Sequence, residues 1–388
     1  MKIFFTDCFD SIQLLDKLSS PLTTFDRKSL YPFTFLKSCL DLRVGILTLR
    51  EKWQKLALKF DAHFVATHAD EEGLIWLSEN VIPSVALLQL IQRLRVGEVL
   101  VQDGYVLAYC YTRTGSCHVQ ETDIPVDLLN GVEDLFLLTG VEITHDFNLL
   151  VQGIQSSSIS VTNQLLGTNL YVADRVSVEC ATLNTLKGPI YIDEDVTIME
   201  GAHLRGPLYL GKGSVVKMGA TIYGNVSIGK QSVIGGEIGN SVIGDFSAKG
   251  HHGYLGCSVI GDWCNLGAGT SNSNLKNNLK TVSIYDYALD GVRDTGLLKC
   301  GAFIGDYTRL GINSALNTGT VIGIASMLAD TSFYAKFVPS FAWVFDGGAQ
   351  TYEFNKFMGY LETLYASKGE ELTEQIKNKL NQLNKKYN

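Results

Sequence analysis

Aliphatic residues recur at every sixth position through the middle of the chain. Counting in sixes gives eight in succession: Ile192, Ile198, Leu204, Leu210, Val216, Ile222, Ile228 and Ile234. A second run has the same step and consists of Ile304, Leu310, Leu316, Ile322 and Leu328, and Ile260 and Leu266 keep the step between the two runs. A β-sandwich would instead place apolar residues at alternate positions. A constant period of six predicts a hexapeptide β-helix, in which three six-residue edges form a triangular coil and each of these aliphatic side chains points inward.

Glycine is concentrated in the same part of the chain. Of the 38 glycines, 27 lie in residues 151–330, and many directly follow an inward aliphatic residue, as in Ile228-Gly229, Ile260-Gly261 and Leu310-Gly311. Glycine at this density breaks helices, but it suits closely spaced turns because a positive φ angle costs it little. We interpret these glycines as corner residues of the β-helix.

The segments on either side of the β-helix follow other patterns. Residues 1–150 mix helical and strand-like stretches, such as LREKWQKLALKF and HFVATHA, and predict an α/β domain. Residues 157–330 predict a left-handed parallel β-helix. Residues 331–388 predict a carboxy-terminal extension that ends in a helix and packs on the core or contacts another subunit. The residues with helical spacing there are Leu372, Ile376, Leu380 and Leu383.

A polar stretch interrupts the β-helix at residues 271–299. It begins SNSNLKNNLK and continues TVSIYDYALDGVRDTG, without an aliphatic residue at every sixth position. We interpret it as a loop that leaves one coil. Long loops on stiff scaffolds are often functional, because the scaffold aims them at a ligand or a neighbour.

The overall composition excludes several classes of protein. The chain has 388 residues, of which 46% are hydrophobic and 19% charged, and this indicates two or three folded domains rather than disorder. Its formal net charge of −8 disfavours a nonspecific binder of nucleic acid or anionic membranes.

Asp7 and Asp10 interrupt the only early apolar run and no segment is long enough to span a membrane, so we expect a cytoplasmic protein. The eight cysteines include no Cys-x-x-Cys pair and predict buried free thiols rather than a zinc site or a disulfide framework.

The densest group of chemically versatile residues lies in KGHHGYLGCSVIGDWCNLGAGTSNSNLKNNLK, residues 249–280. Its pattern resembles the acetyltransferase half of the bacterial bifunctional enzyme that makes UDP-N-acetylglucosamine. In that family a His-x-x-Tyr-Leu-Gly segment leads into Asn-hydrophobic-Gly-Ala-Gly-Thr, and an Asn and a Lys follow on the next loop. The positions that match with the same intervals are His251, Tyr254-Leu255-Gly256, Asn265-Leu266-Gly267-Ala268-Gly269-Thr270, Asn274 and Lys280.

The resemblance implies a role for each of these positions. His251 would be the general base that takes a proton from the amine of glucosamine 1-phosphate as this amine attacks the thioester of acetyl-CoA. An imidazole accepts a proton at neutral pH, whereas a carboxylate would need a large shift; His252 is the nearest rival and is otherwise a turn residue. The family's arginine near the sugar phosphate has no secure counterpart, but Lys217 lies in a similar coil. The resemblance further implies that Tyr254, Asn265, Asn274 and Lys280 hold the sugar phosphate and that Ala268 offers its backbone to acetyl-CoA.

Other positions depart from the family pattern or fit it loosely. Where the family has a serine that helps to bind the coenzyme this chain has Asp306, and the family's late arginine becomes Phe337 beside Lys336. We expect Lys336 to assist coenzyme binding, which is the weaker half of the resemblance. Lys249 and Lys276 are at least as well interpreted as solvated surface lysines.

The amino-terminal part lacks the usual signature of a sugar nucleotidyltransferase. Such enzymes begin with a strand and a Gly-x-Gly-Thr-Arg loop whose backbone N–H groups hold a triphosphate, and this chain has no glycine before Gly45. LYPFTFLKSCLDLRVGILTLREKW, VEDLFLLTGVEITHDFNLL and NLGAGTSNSNLKNNLK together nevertheless resemble an alternative family of Bacteroidetes-type bacteria. That family is described as a fusion of UDP-N-acetylglucosamine pyrophosphorylase and glucosamine-1-phosphate acetyltransferase. The resemblance implies a reduced nucleotidyltransferase-like first domain that would use UTP, and Mg²⁺ only if it is active; its candidate basic residues are Arg43, Arg50 and Lys52.

Other interpretations stay open on the sequence. Some hexapeptide trimers are carbonic anhydrases that hold zinc or iron with three histidines, but His203 is isolated here and the adjacent His251 and His252 diverge, so we expect no metal site. The chain also fits a noncatalytic scaffold that binds a sugar nucleotide, or an N-acyltransferase for another amino sugar or nucleotide-sugar. As an enzyme it would form a homotrimer with the active site between subunits, where the 271–299 loop of one subunit reaches the ligand held by another. We expect neither nucleic acid nor a membrane as a partner.

Overall fold

The computed structural model describes residues 1–6, 22–65, 71–113, 117–330 and 333–387. These residues form two units. Unit 1 takes its residues from Met1–Leu30, Lys37–Leu42 and Leu47–Asp134, and unit 2 takes its residues from Tyr31–Leu36, Arg43–Ile46 and Leu135–Asn388. The early charges at Asp7 and Asp10, the thiol of Cys8 and residues 66–69 of the expected strand HFVATHA lie outside the described residues.

Unit 1 is an α/β domain, as the sequence predicts. Its mixed sheet has the strand order β2-β1-β3-β5-β4-β6. The strands are β1 (Lys2–Thr6), β2 (His63–Phe64), β3 (Ile75–Ser78), β4 (Glu98–Gln102), β5 (Tyr105–Cys110) and β6 (His118–Glu121), and the helices are α1 (Leu49–Ala57), α2 (Val85–Ile91) and 3-10 turns at Arg27–Leu30 and Cys39–Asp41. The Thr48 hydroxyl accepts from the Glu51 N–H while the Glu51 carboxylate accepts from the Thr48 N–H, so a reciprocal cap fixes the start of α1.

Unit 2 is a parallel β-helix with three faces, and its strands pair in parallel from coil to coil. Face 1 consists of β7 (Gln164–Leu166), β10 (Thr182–Asn184), β13 (His203–Arg205), β16 (Thr221–Ile222), the first parts of β19 (Glu237–Ile243) and β21 (Tyr254–Ile260), β23 (Ser271–Asn272) and β28 (Ala315–Leu316). Face 2 consists of β8 (Leu170–Val172), β11 (Ile190–Ile192), β14 (Leu208–Leu210), β17 (Val226–Ile228), the second parts of β19 and β21, β26 (Ala302–Ile304), β29 (Thr320–Ile322) and β31 (Phe337–Val338). Face 3 consists of β9 (Ser177–Val178), β12 (Thr197–Ile198), β15 (Val215–Val216), β18 (Val233–Ile234), β20 (Ala248–Lys249), β22 (Asn265–Leu266), β27 (Arg309–Leu310), β30 (Met327–Ala329), β32 (Ala342–Phe345) and the antiparallel β33 (Gly348–Thr351). Its helices are α3 (Asp134–Leu150), α4 (Phe354–Lys368) and α5 (Glu374–Tyr387).

The inward aliphatic residues form the core of the β-helix, as the period of six predicts. Every member of the two runs, together with Ile260 and Leu266, is at most 3% exposed. Between Ile234 and Ile260 the inward positions continue through Ile238, Ile243, Lys249 and Leu255, so one of them carries an amine. Asn272 occupies another inward position, in register with Leu316. An amine and a side-chain amide thus occupy positions in the ladder.

The corner between faces 2 and 3 carries bulky residues in the left-handed conformation. Phe246, Trp263 and Tyr307 have φ angles of 56°, 60° and 65°. This conformation costs a large side chain roughly 1–2 kcal/mol and needs compensation. The Trp263 ring stacks between Phe246 and Tyr365 of α4, with ring centroids 4.2 and 4.3 Å apart, and Leu380 of α5 is fully buried in the same cluster. The carboxy-terminal extension thus packs on the β-helix, with two helices where the sequence predicted a single terminal one.

The interruption after residue 271 is a loop, as predicted, with structure of its own. The chain leaves face 1 after β23, forms the antiparallel hairpin β24 (Ser283–Asp286) and β25 (Gly291–Asp294), and returns at Cys300. The Tyr285 ring of the hairpin stacks on Phe337 at a centroid distance of 3.7 Å. The β-helix therefore fixes this loop through an aromatic contact.

A short segment from the amino-terminal half belongs to unit 2 and lies on face 2. The Ser227 hydroxyl donates to the Gly45 carbonyl over 2.7 Å, and the Asp146 carboxylate of α3 accepts from the Ile46 N–H over 2.9 Å. Gly45 has a φ of 94°, and a Cβ there would lie 2.7 Å from Asp146 Oδ2. Glycine is therefore required where the segment passes between α3 and the β-helix.

The cysteines largely follow the prediction. Cys39, Cys110, Cys257, Cys264 and Cys300 are buried, whereas Cys117 is half-buried and Cys180 is exposed. No disulfide joins the cysteines of the described residues. Within the same residues, the structure has no helix long and apolar enough to cross a membrane.

Candidate active site

Three of the expected site residues occupy one corner of the β-helix, between faces 3 and 1. Successive coils pass through this corner at Lys217, Gly235-Gly236, Gly250–Gly253 and Gly267–Gly269. We call it the glycine corner. His251 and His252 are both exposed there, two coils above Lys217 and one coil below Ala268. In the described part of the chain the Ala268 N–H has no hydrogen-bond acceptor.

The glycines of this corner make room for the Lys217 side chain. A Cβ on Gly235 would lie 3.2 Å from the Lys217 Cβ, and one on Gly250 would lie 4.0 Å from the Lys217 Cγ. The aliphatic stem of Lys217 therefore runs across Gly235 towards Gly250, the residue before His251. The structure brings the cationic side chain and the histidine to the same edge of the coil.

Tyr254 and Asn274 are brought into direct contact on face 1. The Asn274 Nδ2 donates to the Tyr254 hydroxyl over 3.0 Å and to the Cys257 thiol over 3.4 Å. Burial raises the pKa of Tyr254, and the hydrogen bond from Asn274 partly opposes this rise. Burial also raises the pKa of the Cys257 thiol, which disfavours the nucleophilic thiolate. Tyr254 is thus a neutral hydrogen-bonding group.

Asn272 holds the strand that carries Tyr254. Its Oδ1 accepts from the Gly256 N–H over 2.9 Å, and its Nδ2 donates to the Gly256 carbonyl over 3.0 Å. The amide thus pairs with both backbone groups of Gly256 at the point where the loop leaves the coil. The sequence signal for this residue is its place six residues after Leu266, which identifies an inward position occupied by a polar group.

Asn265 lies on a different face from Tyr254 and Asn274. It begins β22 on face 3, in register with Ala248 below and Arg309 above. The Arg309 guanidinium lies over the Tyr360 ring of α4, 5.0 Å from its centroid. One chain therefore does not bring Asn265 together with the Tyr254–Asn274 pair.

The loop after β23 forms a polar cavity of about 520 Å³ beside face 1. The Lys276 Nζ donates to the Thr281 carbonyl over 2.5 Å and is half-buried, so Lys276 is not a solvated surface lysine. Lys280 is exposed, and its N–H donates to the Asn278 side chain. The cavity is lined by Ser273, Leu275, Lys276, Asn277, Asn278, Asn317, Thr318 and Phe333.

The positions that depart from the family pattern have structural partners. The Asp306 carboxylate is 3% exposed and accepts from the Asp262 N–H over 2.8 Å, so it caps the coil below. Phe337 stacks on Tyr285. The Lys336 Nζ reaches the Ser283 carbonyl over 3.4 Å, and burial, with a smaller effect of the nearby Lys276 charge, lowers the pKa of Lys336. Lys336 therefore lies against the loop hairpin.

Lys249 is not a surface residue, in contrast to the expectation. Its side chain is 3% exposed and occupies the inward position between Ile234 and Leu266. The Nζ donates to the Gly235 carbonyl over 3.2 Å and to the His251 carbonyl over 2.5 Å. Burial lowers the pKa of Lys249 to about 8. The sequence contained a signal for this placement, because Ile243, Lys249 and Leu255 are spaced by six.

The basic residues nominated in the amino-terminal half have structural partners. An Arg43 nitrogen lies 3.8 Å from the Asp245 carboxylate, and the guanidinium lies 5.3 Å from the Tyr209 ring centroid. The Arg50 Nε donates to Asp41 over 2.6 Å, and this hydrogen bond raises the pKa of Arg50. Lys52 is buried in α1. Arg43 and Arg50 are thus engaged with neighbouring side chains, and Lys52 is 3% exposed.

Metal ligands do not cluster in the described part of the chain. No group of three or more His, Cys, Asp or Glu side chains there could hold a metal ion. His203 begins β13 on face 1, in register with Thr221 of the coil above.

Comparisons with known proteins find two kinds of similarity. Residues 23–155 match the family of sugar nucleotidyl transferases. A bifunctional sugar-1-phosphate nucleotidylyltransferase/acetyltransferase of Sulfurisphaera tokodaii is 40% identical over 141 residues, which are 36% of this chain and 34% of the relative. The bifunctional protein GlmU of Methanococcus vannielii is 29% identical over 109 residues, which are 28% of this chain and 26% of the relative. This chain thus spans about a third or less of the length of these curated relatives.

Solved structures of acyltransferases also show similarity. The Arabidopsis UDP-N-acetylglucosamine acyltransferase covers 59% of this chain and 90% of its own, with 15% identity and a TM-score of 0.24. The polySia-specific acetyltransferase NeuO covers 50% of this chain and 85% of its own, with 17% identity and a TM-score of 0.28. Similarity at this level does not bear on activity.

The buried amine gives unit 2 a distinctive dependence of stability on pH. Because the folded pKa of Lys249 lies below its ordinary value of 10.5, the unfolded chain binds more protons than the folded chain between about pH 8 and 10.5. The destabilising effect of the buried charge is therefore full below pH 8 and fades as the pH rises towards 10.5. We expect the melting temperature of the wild type, relative to that of Lys249→Met, to increase over this range.

Differential scanning calorimetry at pH 7, 8, 9 and 10.5, at one protein concentration, measures this difference. Lys187→Met is the matched control, because Lys187 is exposed on the same β-helix. A constant difference between wild type and Lys249→Met across the series would contradict the expected titration.

Proposed function

We propose that unit 2 transfers the acetyl group of acetyl-CoA to the amine of an amino-sugar phosphate, with glucosamine 1-phosphate as the acceptor. The names of the two curated relatives support transfer of acetyl and nucleotidyl groups in sugar-phosphate chemistry. The observation that carries the proposal is the glycine corner, where Lys217, His251 and Ala268 share one edge of the coil. The resemblance to the Bacteroidetes-type fusion family favours the same acceptor.

The proposed chemistry assigns one task to each group of residues. The His251 imidazole accepts a proton from the acceptor amine as the amine nitrogen bonds to the thioester carbonyl carbon. The carbon–sulfur bond then breaks, and the proton passes to the departing thiolate, so that free coenzyme A and an amide are the products. The Lys217 and Lys280 ammonium groups attract the sugar phosphate, and the Tyr254–Asn274 pair orients the sugar. The Ala268 N–H offers a donor to the coenzyme.

Removal of the proposed base tests the reaction directly. We expect His251→Ala to reduce kcat for thiol release from acetyl-CoA and glucosamine 1-phosphate by about 10²-fold or more, because general-base catalysis contributes about 10²–10⁴-fold. The measurement is a coupled thiol assay of purified full-length protein. His252→Ala is the matched control and should retain activity within a few-fold.

Comparison of the two histidine variants also shows which result would contradict the proposed acetyl transfer. Equal loss in both histidine variants would assign no special role to His251. If the wild type releases no thiol with this acceptor or with other amino sugars and nucleotide-sugars, the noncatalytic scaffold becomes the better description.

We further propose that neighbouring subunits complete the site in a homotrimer. Asn265 lies on face 3 and the Tyr254–Asn274 pair lies on face 1, so a site that uses both needs two chains. Coexpression of Asn274→Ala with Asn265→Ala should then raise activity above that of either variant alone, because about a quarter of the sites carry both wild-type side chains for random mixing. Thiol release by the coexpressed protein, compared with the same variants mixed after purification, measures the effect. Absence of restoration in a confirmed mixed oligomer would place each complete site in one chain.

The family match favours a second activity in unit 1. Residues 23–155 match sugar nucleotidyl transferases, and we propose that unit 1 acts on the acetylated sugar phosphate with UTP. Incubation with UTP, Mg²⁺ and N-acetylglucosamine 1-phosphate should release pyrophosphate at a rate that His251→Ala leaves unchanged, because this residue belongs to unit 2. Lack of pyrophosphate from protein that is active in thiol release would indicate a vestigial first domain.

A further inference from the structure

Lys249 occupies an inward position of the ladder where an aliphatic side chain is expected. Its neighbours in register on face 3 are Ile234 and Leu266, and the side chain is 3% exposed. Placing an amine among aliphatic side chains costs free energy unless its donors are satisfied. A leucine would fill the same position without this cost, so the core alone does not explain the lysine.

Both hydrogen bonds from the Lys249 amine go to the glycine corner. One partner is the carbonyl of His251 in the same coil, and the other is the carbonyl of Gly235 in the coil below. Glycine at 236 permits this arrangement, since a Cβ there would lie 2.7 Å from the His251 oxygen. The amine therefore ties two adjacent coils together at the turn that presents the two histidines.

The backbone of this turn makes few other hydrogen bonds in the described part of the chain. In the described part of the chain, the backbone of His251 and His252 makes one further hydrogen bond, from the Gly269 N–H to the His252 carbonyl over 3.0 Å. The turn is thus fixed from the coil above by an ordinary backbone bond and from inside the coil by a side chain. Without the hydrogen bond from Lys249, only the bond from the Gly269 N–H to the His252 carbonyl would hold the orientation of the turn.

We propose that Lys249 is a positioning residue that holds the His251 carbonyl from inside the β-helix and thereby sets the direction of the exposed His251 imidazole. The consequence for catalysis rests on the proposed acetyl transfer, whereas the positioning of the turn does not. Lys249 contacts the backbone of the histidine and takes no part in proton transfer. A displacement of the base by about 1 Å reduces turnover by up to about 10²-fold, so this role is measurable.

Lys249→Met and Lys249→Leu remove the donors and keep an apolar side chain in the ladder. Hydrogen exchange reports the turn through the Gly269 amide, which donates to the His252 carbonyl, and reports the coil through the Gly235 amide, which donates to the Lys249 carbonyl over 2.8 Å. We expect the Gly269 amide to exchange about tenfold faster in both variants, with the Gly235 amide unchanged. Lys187→Met, on the exposed surface, should change neither.

Kinetics supply the second readout on the same proteins. We expect kcat to fall about tenfold or more in both variants, while KM for acetyl-CoA stays within about twofold, because the base moves and the coenzyme site does not. Unchanged exchange at Gly269 would overturn the inference, and so would unchanged kcat in an active enzyme. Faster exchange at Gly235 in both variants would also overturn it, because Lys249 would then support the whole coil. Selective loss of protection at Gly269 in a wild type that acetylates nothing would support the positioning and reject the proposed function.

Discussion

The inward ladder is the constraint on which the rest of unit 2 depends. Each coil contributes inward side chains from its three faces, and these side chains pack against their equivalents in neighbouring coils. An apolar residue at each of these positions fills the interior without leaving a polar group unsatisfied. Outward strand positions and corners are therefore the places where the β-helix can carry chemistry. The glycine corner is such a place, and Lys217, His251 and Ala268 occur there together.

Two polar members of the ladder, Lys249 and Asn272, lie close to expected site residues. Lys249 bonds to the His251 turn, and Asn272 pairs with both backbone groups of Gly256, two residues after Tyr254. Each forfeits the packing of an aliphatic side chain and gains hydrogen bonds to a segment that bears an expected site residue. Polar groups buried in a core are normally found only where they have hydrogen-bond partners. The bond from Lys249 to the His251 carbonyl links the interior of the coil to its outer edge.

Sequence periodicity predicts the ladder and its corners because both depend on local spacing. The same spacing contains a signal for the inward position of Lys249, but residue type suggested a surface lysine, and that expectation was wrong. The docking of Arg43 on Tyr209 and Asp245 could not be predicted, since it joins segments far apart in sequence without a repeating pattern. Bulky residues at left-handed corners, such as Trp263, gave no local signal either, because the helices that compensate them come from the end of the chain.

The departures from the family pattern show which structural features the spacing of residues in the sequence predicts and which it does not. Intervals fix the coil and the face of a residue, and Tyr254 and Asn274 do meet on one face. They do not fix which neighbours a side chain meets. Asp306 occupies the position of the family's serine, yet its carboxylate accepts a hydrogen bond from the backbone of the coil below. Phe337, at the position of the family's arginine, stacks on Tyr285 of the loop hairpin. Both side chains are therefore engaged elsewhere in the fold, whereas the Ala268 N–H at the glycine corner has no acceptor in the described part of the chain.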